Sequence, residues 1–358
     1  MKVLHVITTM DRGGAENHVA ALSAAQRETG HEVRIAYLKG TAELVIGDES
    51  ATKLTPRTGS LLRRWVGGKG VVHAHLPRAE LAACALTPKS TPLIISRHNT
   101  EPFLNSGPSL ASRALAKWCG AQADTVIAIS ESVRVYHLSS GHLDQTTRTS
   151  VIPYGYSMNG SSTLTYDWSH GLDGDPRPLR IATVARLAPQ KDLPTLLTAT
   201  AQLVSRGLVV DLRIAGDGPD KEALSELINR LGLQSFVSLI GRIPNPEQFI
   251  AGADVFALPS RYEGLGLVLL EAMAASTPIV AARNTAIEEV VVDGETGLLF
   301  ETGNAEDLAT KLVTIAQAHD LSSHLVAAAS QRLHSEFSID RMLAQTTAVY
   351  EAAIERKR

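Results

Sequence analysis

Short apolar runs rich in β-branched residues alternate with amphipathic stretches along almost the whole chain. Val3-Leu4-His5-Val6-Ile7 reads as a buried strand, because a continuous apolar run of this length suits a strand covered on both faces. A loop with Gly13-Gly14 follows, then a helical pattern from Glu16 to Thr29, closed by Gly30. His31 to Tyr37, Val71 to His75, Leu93 to Arg97 and Thr125 to Ile129 continue the strands of the first half. Leu179 to Ala185, Val210 to Ala215, Phe236 to Ile240, Val255 to Leu258 and Pro278 to Ala281 repeat the style in the second half. Strands that alternate with helices specify parallel sheets covered on both faces, an α/β class.

A chain of 358 residues exceeds one ordinary core, so two domains are expected. Ser157 to Pro178, rich in Ser, Gly, Asp and Pro, is the natural linker. The first domain is placed at residues 1–160 and the second at 161–338. Ile339, Met342, Leu343, Thr346, Tyr350 and Ile354 form the apolar stripe of a terminal helix, and the residues alone do not say which domain receives it.

Composition narrows the class. With 44% hydrophobic and 20% charged residues the chain is a folded globular protein rather than a disordered one. No uncharged apolar run reaches roughly 18 residues, so a membrane-crossing helix is not expected. The segment Met1 to Met10 lacks the pattern of a secretory signal. Two cysteines, Cys84 and Cys119, exclude a disulfide scaffold and a cysteine zinc site, and the expected compartment is the reducing cytoplasm. The net charge of −3 divides into +5 for residues 1–160 and −8 for the remainder. A basic half suits an anionic ligand or a peripheral contact with the inner face of a membrane, with Leu61-Leu62-Arg63-Arg64-Trp65 as its candidate segment. Nucleic acid is not expected: there is no basic stripe, and 4% aromatic residues leave little to stack on bases.

In open parallel sheets, ligands bind beyond the carboxyl ends of the strands. The densest signal there runs from Pro259 to Met273 (PSRYEGLGLVLLEAM), after one strand and into a helix. Gly264 and Gly266 let backbone approach a ligand, and free N–H groups near Leu265 to Leu267 would form an anion site. Glu263 stands in the loop and Glu271 about one turn into the helix. Two carboxylates so placed suit the hydroxyls of two parts of one ligand. Read blandly, they are acids favoured by a helix dipole.

Arg186 and Lys191 lie in the loop Ala185-Arg186-Leu187-Ala188-Pro189-Gln190-Lys191-Asp192, with Arg186 at a strand end and Asp192 as N-cap. Two cations in one loop can neutralise a pyrophosphate, and a departing diphosphate could then be stabilised without a metal. His98-Asn99 follows the strand Leu93 to Arg97. His73 and His75 are read as standing on opposite faces of their strand. Asp173-Gly174-Asp175 falls in the linker and reads as a solvated turn, so no metal site is expected.

The Glu263 to Glu271 block resembles the E-x7-E signature of retaining nucleotide-sugar glycosyltransferases of family 4, with Leu265 where the family usually has Phe. Arg186 to Lys191 resembles the family's G-R-x4-K-G element, with Ala185 and Asp192 replacing its glycines. Gly13-Gly14-Ala15-Glu16 resembles its GGAE loop, in which the second glycine, here Gly14, approaches the donor phosphate. His98 resembles its active-site histidine. The turns Gly216-Asp217-Gly218-Pro219 and Gly241-Arg242-Ile243 resemble its nucleotide loops, with the base near Arg242 and Ile243. Pro153-Tyr154-Gly155 departs from the usual P-N-G.

The resemblance implies a GT-B fold, two facing Rossmann-like domains with an interdomain cleft. It further implies that the donor is bound mainly by the second domain and the acceptor by the first, and that the terminal helix returns to the first domain. The activity implied is metal-independent transfer of a sugar from a nucleoside-diphosphate sugar to a glycan, lipid-linked or small-molecule acceptor, with retained anomeric configuration and no cofactor. His98, Glu263, Arg186 and Lys191 would be catalytic. Gly14, Arg186, Lys191, Arg242, Ile243, Glu263, Gly264, Leu265, Gly266, Leu267 and Glu271 would bind the donor. A sugar-nucleotide epimerase and a non-catalytic nucleotide-sugar-binding module remain alternatives. A nicotinamide dehydrogenase is disfavoured because the G-x-G-x-x-G fingerprint is missing.

Overall fold

The computed structural model of the protein describes residues 1–11, 13–40, 43–45, 51–67, 70–103, 109–156, 166, 168 and 177–358. The turn Asp173-Gly174-Asp175, most of the linker Ser157 to Pro178, and Arg12 lie outside the described residues. The chain divides into two compact units. One is Met1–Ser157 with Phe337–Arg358, and the other is Met158–Glu336.

The first unit is built on seven parallel strands. They are β1 (Lys2–Ile7), β2 (Glu32–Tyr37), β3 (Ala51–Lys53), β4 (Gly70–His75), β5 (Leu93–Arg97), β6 (Thr125–Ala128) and β7 (Thr149–Val151), in the spatial order β3-β2-β1-β4-β5-β6-β7. The second unit has six parallel strands. They are β8 (Leu179–Val184), β9 (Val210–Ala215), β10 (Val237–Gly241), β11 (Val255–Leu258), β12 (Ile279–Ala282) and β13 (Leu298–Phe300), in the order β10-β9-β8-β11-β12-β13. In both sheets the winding reverses beside the first strand, between β1 and β4 and between β8 and β11. Doubly wound sheets open a crevice at such points, beyond the strand ends.

Both sheets contain interior strands that are wholly buried. Every residue of β4, β5, β9 and β11 is buried. In the second unit, Ile181, Val210, Leu212, Ile214, Val255 and Val280 pack with Leu196, Leu203, Leu308 and Leu312 from the helices Leu193–Ser205 and Ala305–Gln317. Each such side chain removed from water stabilises the unit by about 1.5–3 kcal/mol.

The terminal helix Ile339–Lys357 completes the first unit. Met342, Tyr350 and Ala353 pack with Val3, Leu22, Val71, Ile94 and Ile127. Gly155 permits the approach: a Cβ there would lie 2.7 Å from Ile339 Cα and 2.8 Å from the Ser338 carbonyl oxygen.

The segment Leu61 to Trp65 lies in the helix Pro56–Val66. Its tryptophan faces the protein: the Arg34 guanidinium sits 4.7 Å and Lys2 Nζ 5.4 Å from the Trp65 ring. No helix among the described residues is long and apolar enough to cross a membrane.

Candidate functional site

Adjacent strands bring two distant loops of the second unit together. β8 and β11 are neighbours, and Thr183 Oγ1 donates to the Ala257 carbonyl at 2.9 Å across them. The loop after β8 carries Arg186 and Lys191, and the loop after β11 carries Glu263. Lys191 Nζ meets Glu263 Oε1 at 2.5 Å, with the lysine side chain 13% and the glutamate 8% exposed. A carboxylate this buried needs such a partner.

Arg186 lies two residues past the end of β8, rather than ending it, and its side chain is exposed. Asp192 stands at the N-cap position of Leu193–Ser205 but its side chain caps no backbone N–H. Its backbone is left-handed, with φ 45°. A glycine would adopt that conformation without strain. Here the carboxylate accepts from Thr195 Oγ1 at 2.9 Å and from Arg261 Nη2 at 3.2 Å. Arg261 thereby neutralises the acid beside Lys191.

After Glu263, Gly264 is half-buried and Leu265 is buried, so the apolar side chain that stands in place of phenylalanine serves the core. Gly266 has φ 85°, a conformation glycine permits, and the helix Leu267–Ala274 begins directly after it. Its first-turn amides, at Leu267 and Val268, have no intrahelical acceptors and carry the positive end of the helix dipole. Glu271 lies one turn in. Burial, and then the charge of Glu247, push its carboxyl up to about 7. On the other side of the sheet order, Arg242 and Ile243 follow β10. The Arg242 side chain is 71% exposed and its Nε lies 4.0 Å from Asp217 Oδ2. Gly216 (φ 142°) and Gly218 hold this edge close: added Cβ atoms would lie 1.8 Å from the Ala185 oxygen and 2.2 Å from the Leu187 oxygen.

The first unit holds the other two predicted residues just beyond the ends of β1 and β5. Gly14 opens the helix Gly14–Glu28 after β1, is exposed, and has open space where a side chain would stand. His98 follows β5. Both its ring nitrogens have partners, Nε2 with His75 Nδ1 at 3.1 Å and Nδ1 with Tyr154 Oη at 2.8 Å. Tyr154, the departure from the P-N-G pattern, thus becomes the partner of the candidate histidine.

His73 and His75 share one face of β4, together with His5 of β1. Residues two apart in a strand point the same way, which corrects the expectation of opposite faces. The His73 and His75 ring centroids are 4.1 Å apart, and His5 pairs in register with His73. Local patterning assigned no site role to His5, His18, Gln26 or Tyr350, although two polar rings inside an otherwise apolar strand signal a demand for buried partners.

Two doubly wound parallel sheets, each with loops gathered at its switch point, define the GT-B architecture. Residues 12–159 match the family model described as Glycosyltransferase Family 4, and residues 167–332 match Glycosyl transferases group 1. The chain is a glycosyltransferase of this group 1/family 4 type. It is 28% identical to the phosphatidyl-myo-inositol mannosyltransferase of Mycolicibacterium smegmatis, over 95% of this chain and 90% of that protein. It is 26% identical to the N-acetyl-alpha-D-glucosaminyl L-malate synthase of Bacillus anthracis, over 78% of this chain and 73% of that protein. Among solved structures, HepE of Anabaena in complex with UDP superposes with a TM-score of 0.80 and 20% identity, covering 98% of this chain and 100% of that one.

Proposed function

We propose that the protein moves a sugar from a nucleoside-diphosphate donor to a glycan, lipid-linked or small-molecule acceptor, with retention of anomeric configuration and without a metal. The observation that carries this reading is the Lys191–Glu263 pair at the switch point of the second unit, beside the first-turn amides of Leu267–Ala274. Cation, carboxylate and helix terminus are the three groups a sugar diphosphate requires.

In this reading Arg186, Lys191 and the Gly264 to Leu267 backbone hold the diphosphate and stabilise its departure. Glu271 holds the ribose hydroxyls, and Arg242 and Ile243 border the base. Glu263 and His98 position the sugar and support charge at its anomeric carbon, and Gly14 meets the donor phosphate. The leaving phosphate assists deprotonation of the acceptor. The first unit takes the acceptor and the second the donor. A UDP complex of the Anabaena protein and the lipid, phosphatidyl-myo-inositol, in the name of the mycobacterial relative agree with these classes.

Thermal stabilisation across UDP, GDP, ADP and TDP and their sugars tests the donor site, since a ligand that binds the native state raises its stability. One nucleotide family should shift the melting temperature, and Lys191→Ala and Glu271→Ala should abolish the shift. No shift with any of them in a folded sample would sink the reading. Release of free nucleotide without a glycosylated product would favour an epimerase instead.

A peripheral membrane contact is a second reading, consistent with a cytoplasmic enzyme acting on a lipid-linked acceptor. The helix Ser109–Gln122 supports it better than Leu61 to Trp65 does. It exposes Leu110 (78%) and Trp118 (44%) beside the exposed Arg113 and Lys117. Co-sedimentation with anionic vesicles at low salt should fall in Leu110→Ser/Trp118→Ser, and no binding by the parent protein ends the idea.

A further inference from the structure

The core of the first unit contains a continuous line of hydrogen bonds through four histidines. Tyr154 Oη lies 2.8 Å from His98 Nδ1, and His98 Nε2 lies 3.1 Å from His75 Nδ1. His75 Nε2 lies 3.0 Å from His5 Nδ1, and His5 Nε2 lies 2.8 Å from Gln26 Oε1. Gln26 Nε2 donates to Tyr350 Oη at 3.3 Å, Tyr350 Oη lies 2.7 Å from His73 Nδ1, and His73 Nε2 lies 2.7 Å from Ser96 Oγ. His5, His73 and His75 are at most 1% exposed. Burial holds these rings neutral: it lowers His5 to about 4 and His98 to about 3, and puts His73 and His75 well below the ordinary range.

A neutral imidazole has one N–H and one lone pair. In this line each ring uses both, so fixing one proton fixes the rest. The Gln26 amide donates to Tyr350, so its oxygen accepts from His5, whose proton is then on Nε2. His5 Nδ1 accepts from His75 Nε2–H, His75 Nδ1 accepts from His98 Nε2–H, and His98 Nδ1 accepts from the Tyr154 hydroxyl. In the other direction Tyr350 gives its single O–H to His73 Nδ1, and His73 Nε2–H donates to Ser96. The reverse arrangement, with the amide turned over, moves every ring proton to Nδ1. It also requires the Tyr154 O–H to find another acceptor, and Tyr154 is 4% exposed. A buried donor without a partner is costly. In the forward arrangement the displaced hydroxyl is that of Ser96, which borders a small cavity lined also by Glu80, Arg97 and His98.

We infer that His5, His73, His75 and His98 form one coupled tautomer array, all four protonated on Nε2, and that His5, His75, Gln26 and Tyr350 act through it as positioning residues that fix the ring of His98. The consequence for catalysis rests on the donor-site role proposed for His98; the array itself does not. His5, His73 and His75 also bring ring nitrogens within 4.8 Å of one another, a spacing open to a metal ion. A metal there would have to displace hydrogen bonds that already use both nitrogens of every ring.

The test is long-range 15N–1H correlation NMR of the full chain labelled at histidine, at pH 7 and without added metal, followed by one equivalent of zinc. All four rings should show the Nε2–H signature and be unmoved by zinc. A mixture in which one of the four is Nδ1–H while another is Nε2–H would overturn the array, and so would loss of these signals to bound zinc. Gln26→Leu removes the acceptor of His5, which reaches His98 only through two other rings. In that variant the His98 signal should change from pure Nε2–H to a mixture, and an unchanged His98 would overturn the coupling. Nucleoside-diphosphate sugar added to the parent protein then separates the two ideas. A uniform array whose His98 signal ignores a bound donor would leave the array standing and remove His98 from the donor site.

Discussion

Lys191 and Glu263, 72 positions apart in the chain, meet at 2.5 Å, and each is nearly closed off from solvent. The pair presets a competition: a diphosphate that takes the lysine must loosen it from the glutamate. Glu263→Gln should therefore leave the affinity for the nucleoside diphosphate unchanged or tighter, while sugar transfer falls by about two to three orders of magnitude. Titration calorimetry beside a transfer assay checks this. A parallel loss of binding would show that Glu263 serves only to hold the loop.

Glu271 carries a carboxyl raised to about 7 by burial. Its proton competes with ribose hydroxyls that need an acceptor, so nucleotide affinity should weaken as the pH falls through about 7. Glu271→Gln should bind more weakly at pH 8 and lose the pH dependence. Affinities at pH 6, 7 and 8 for both proteins decide it. For stability the sign is opposite. A raised carboxyl favours the fold below its unfolded pKa of about 4.3, and that contribution is lost as the pH rises through about 7.

The first unit should be the acid-labile one. His5, His18, His73, His75 and His98 are all lowered, chiefly by burial. Unfolded, each takes up a proton near pH 6.5. Stability is therefore present above that pH and is lost as the pH falls toward the folded values, by about 1.4 kcal/mol per ring for each pH unit. Around these rings stand Gln26, Ser96, Tyr154 and Tyr350, and no carboxylate among the described residues is bonded to any of the rings to rescue the charge. Hydrogen exchange between pH 7 and 4.5 should show the first unit opening while Met158–Glu336 stays protected. Simultaneous opening of both units would contradict this.

Arg97 and Glu80 form an ion pair at 2.9 Å with side chains 3% and 1% exposed. Removing one partner strands the other. Glu80→Ala should cost about 3–5 kcal/mol, and Arg97→Met/Glu80→Met together should cost much less. Denaturant titration of the two proteins measures the difference, and equal losses would mean that the pair does not act as a unit. Burial outweighs Arg97 in setting the Glu80 carboxyl, which is raised to about 7, so the contribution of Glu80 is lost as the pH rises through that value and the Glu80→Ala penalty should shrink from pH 6 to pH 8.

Much of this molecule could be read from its residues, for reasons that also explain the gaps. β11 begins and ends where its apolar run does, because a strand buried on both faces leaves continuous hydrophobic text, while β5 and β9 keep enough apolar residues around Ser96, Arg97, Asp211 and Arg213 to be read at the same bounds. β3, β7 and β13 were not legible. Each has three residues and lies at a sheet edge, too short for a pattern and held mainly by its neighbour. In the site, the glycines and acids around Glu263 stood out because their spacing is local. The bond from Lys191 to Glu263 depends on the adjacency of β8 and β11, which no local pattern encodes. Tyr350 is the plainest case: its apolar stripe was visible, but its bonds to Gln26 and His73 span 324 and 277 positions.

Tyr350 also carries a consequence for how the protein is made. The ribosome delivers β1 long before the helix Ile339–Lys357, yet Tyr350 is fully enclosed in a cluster with Val3, Leu22, Val71, Ile94 and Ile127. The unit that emerges earliest must wait, with part of its core uncovered, through synthesis of the entire second unit. Met158–Glu336 is contiguous and can close as soon as it clears the exit tunnel. The nascent chain therefore passes through a stage in which the later half is finished and the earlier half is not, and that stage is when its histidine-bearing strands are open to solvent and to chaperones.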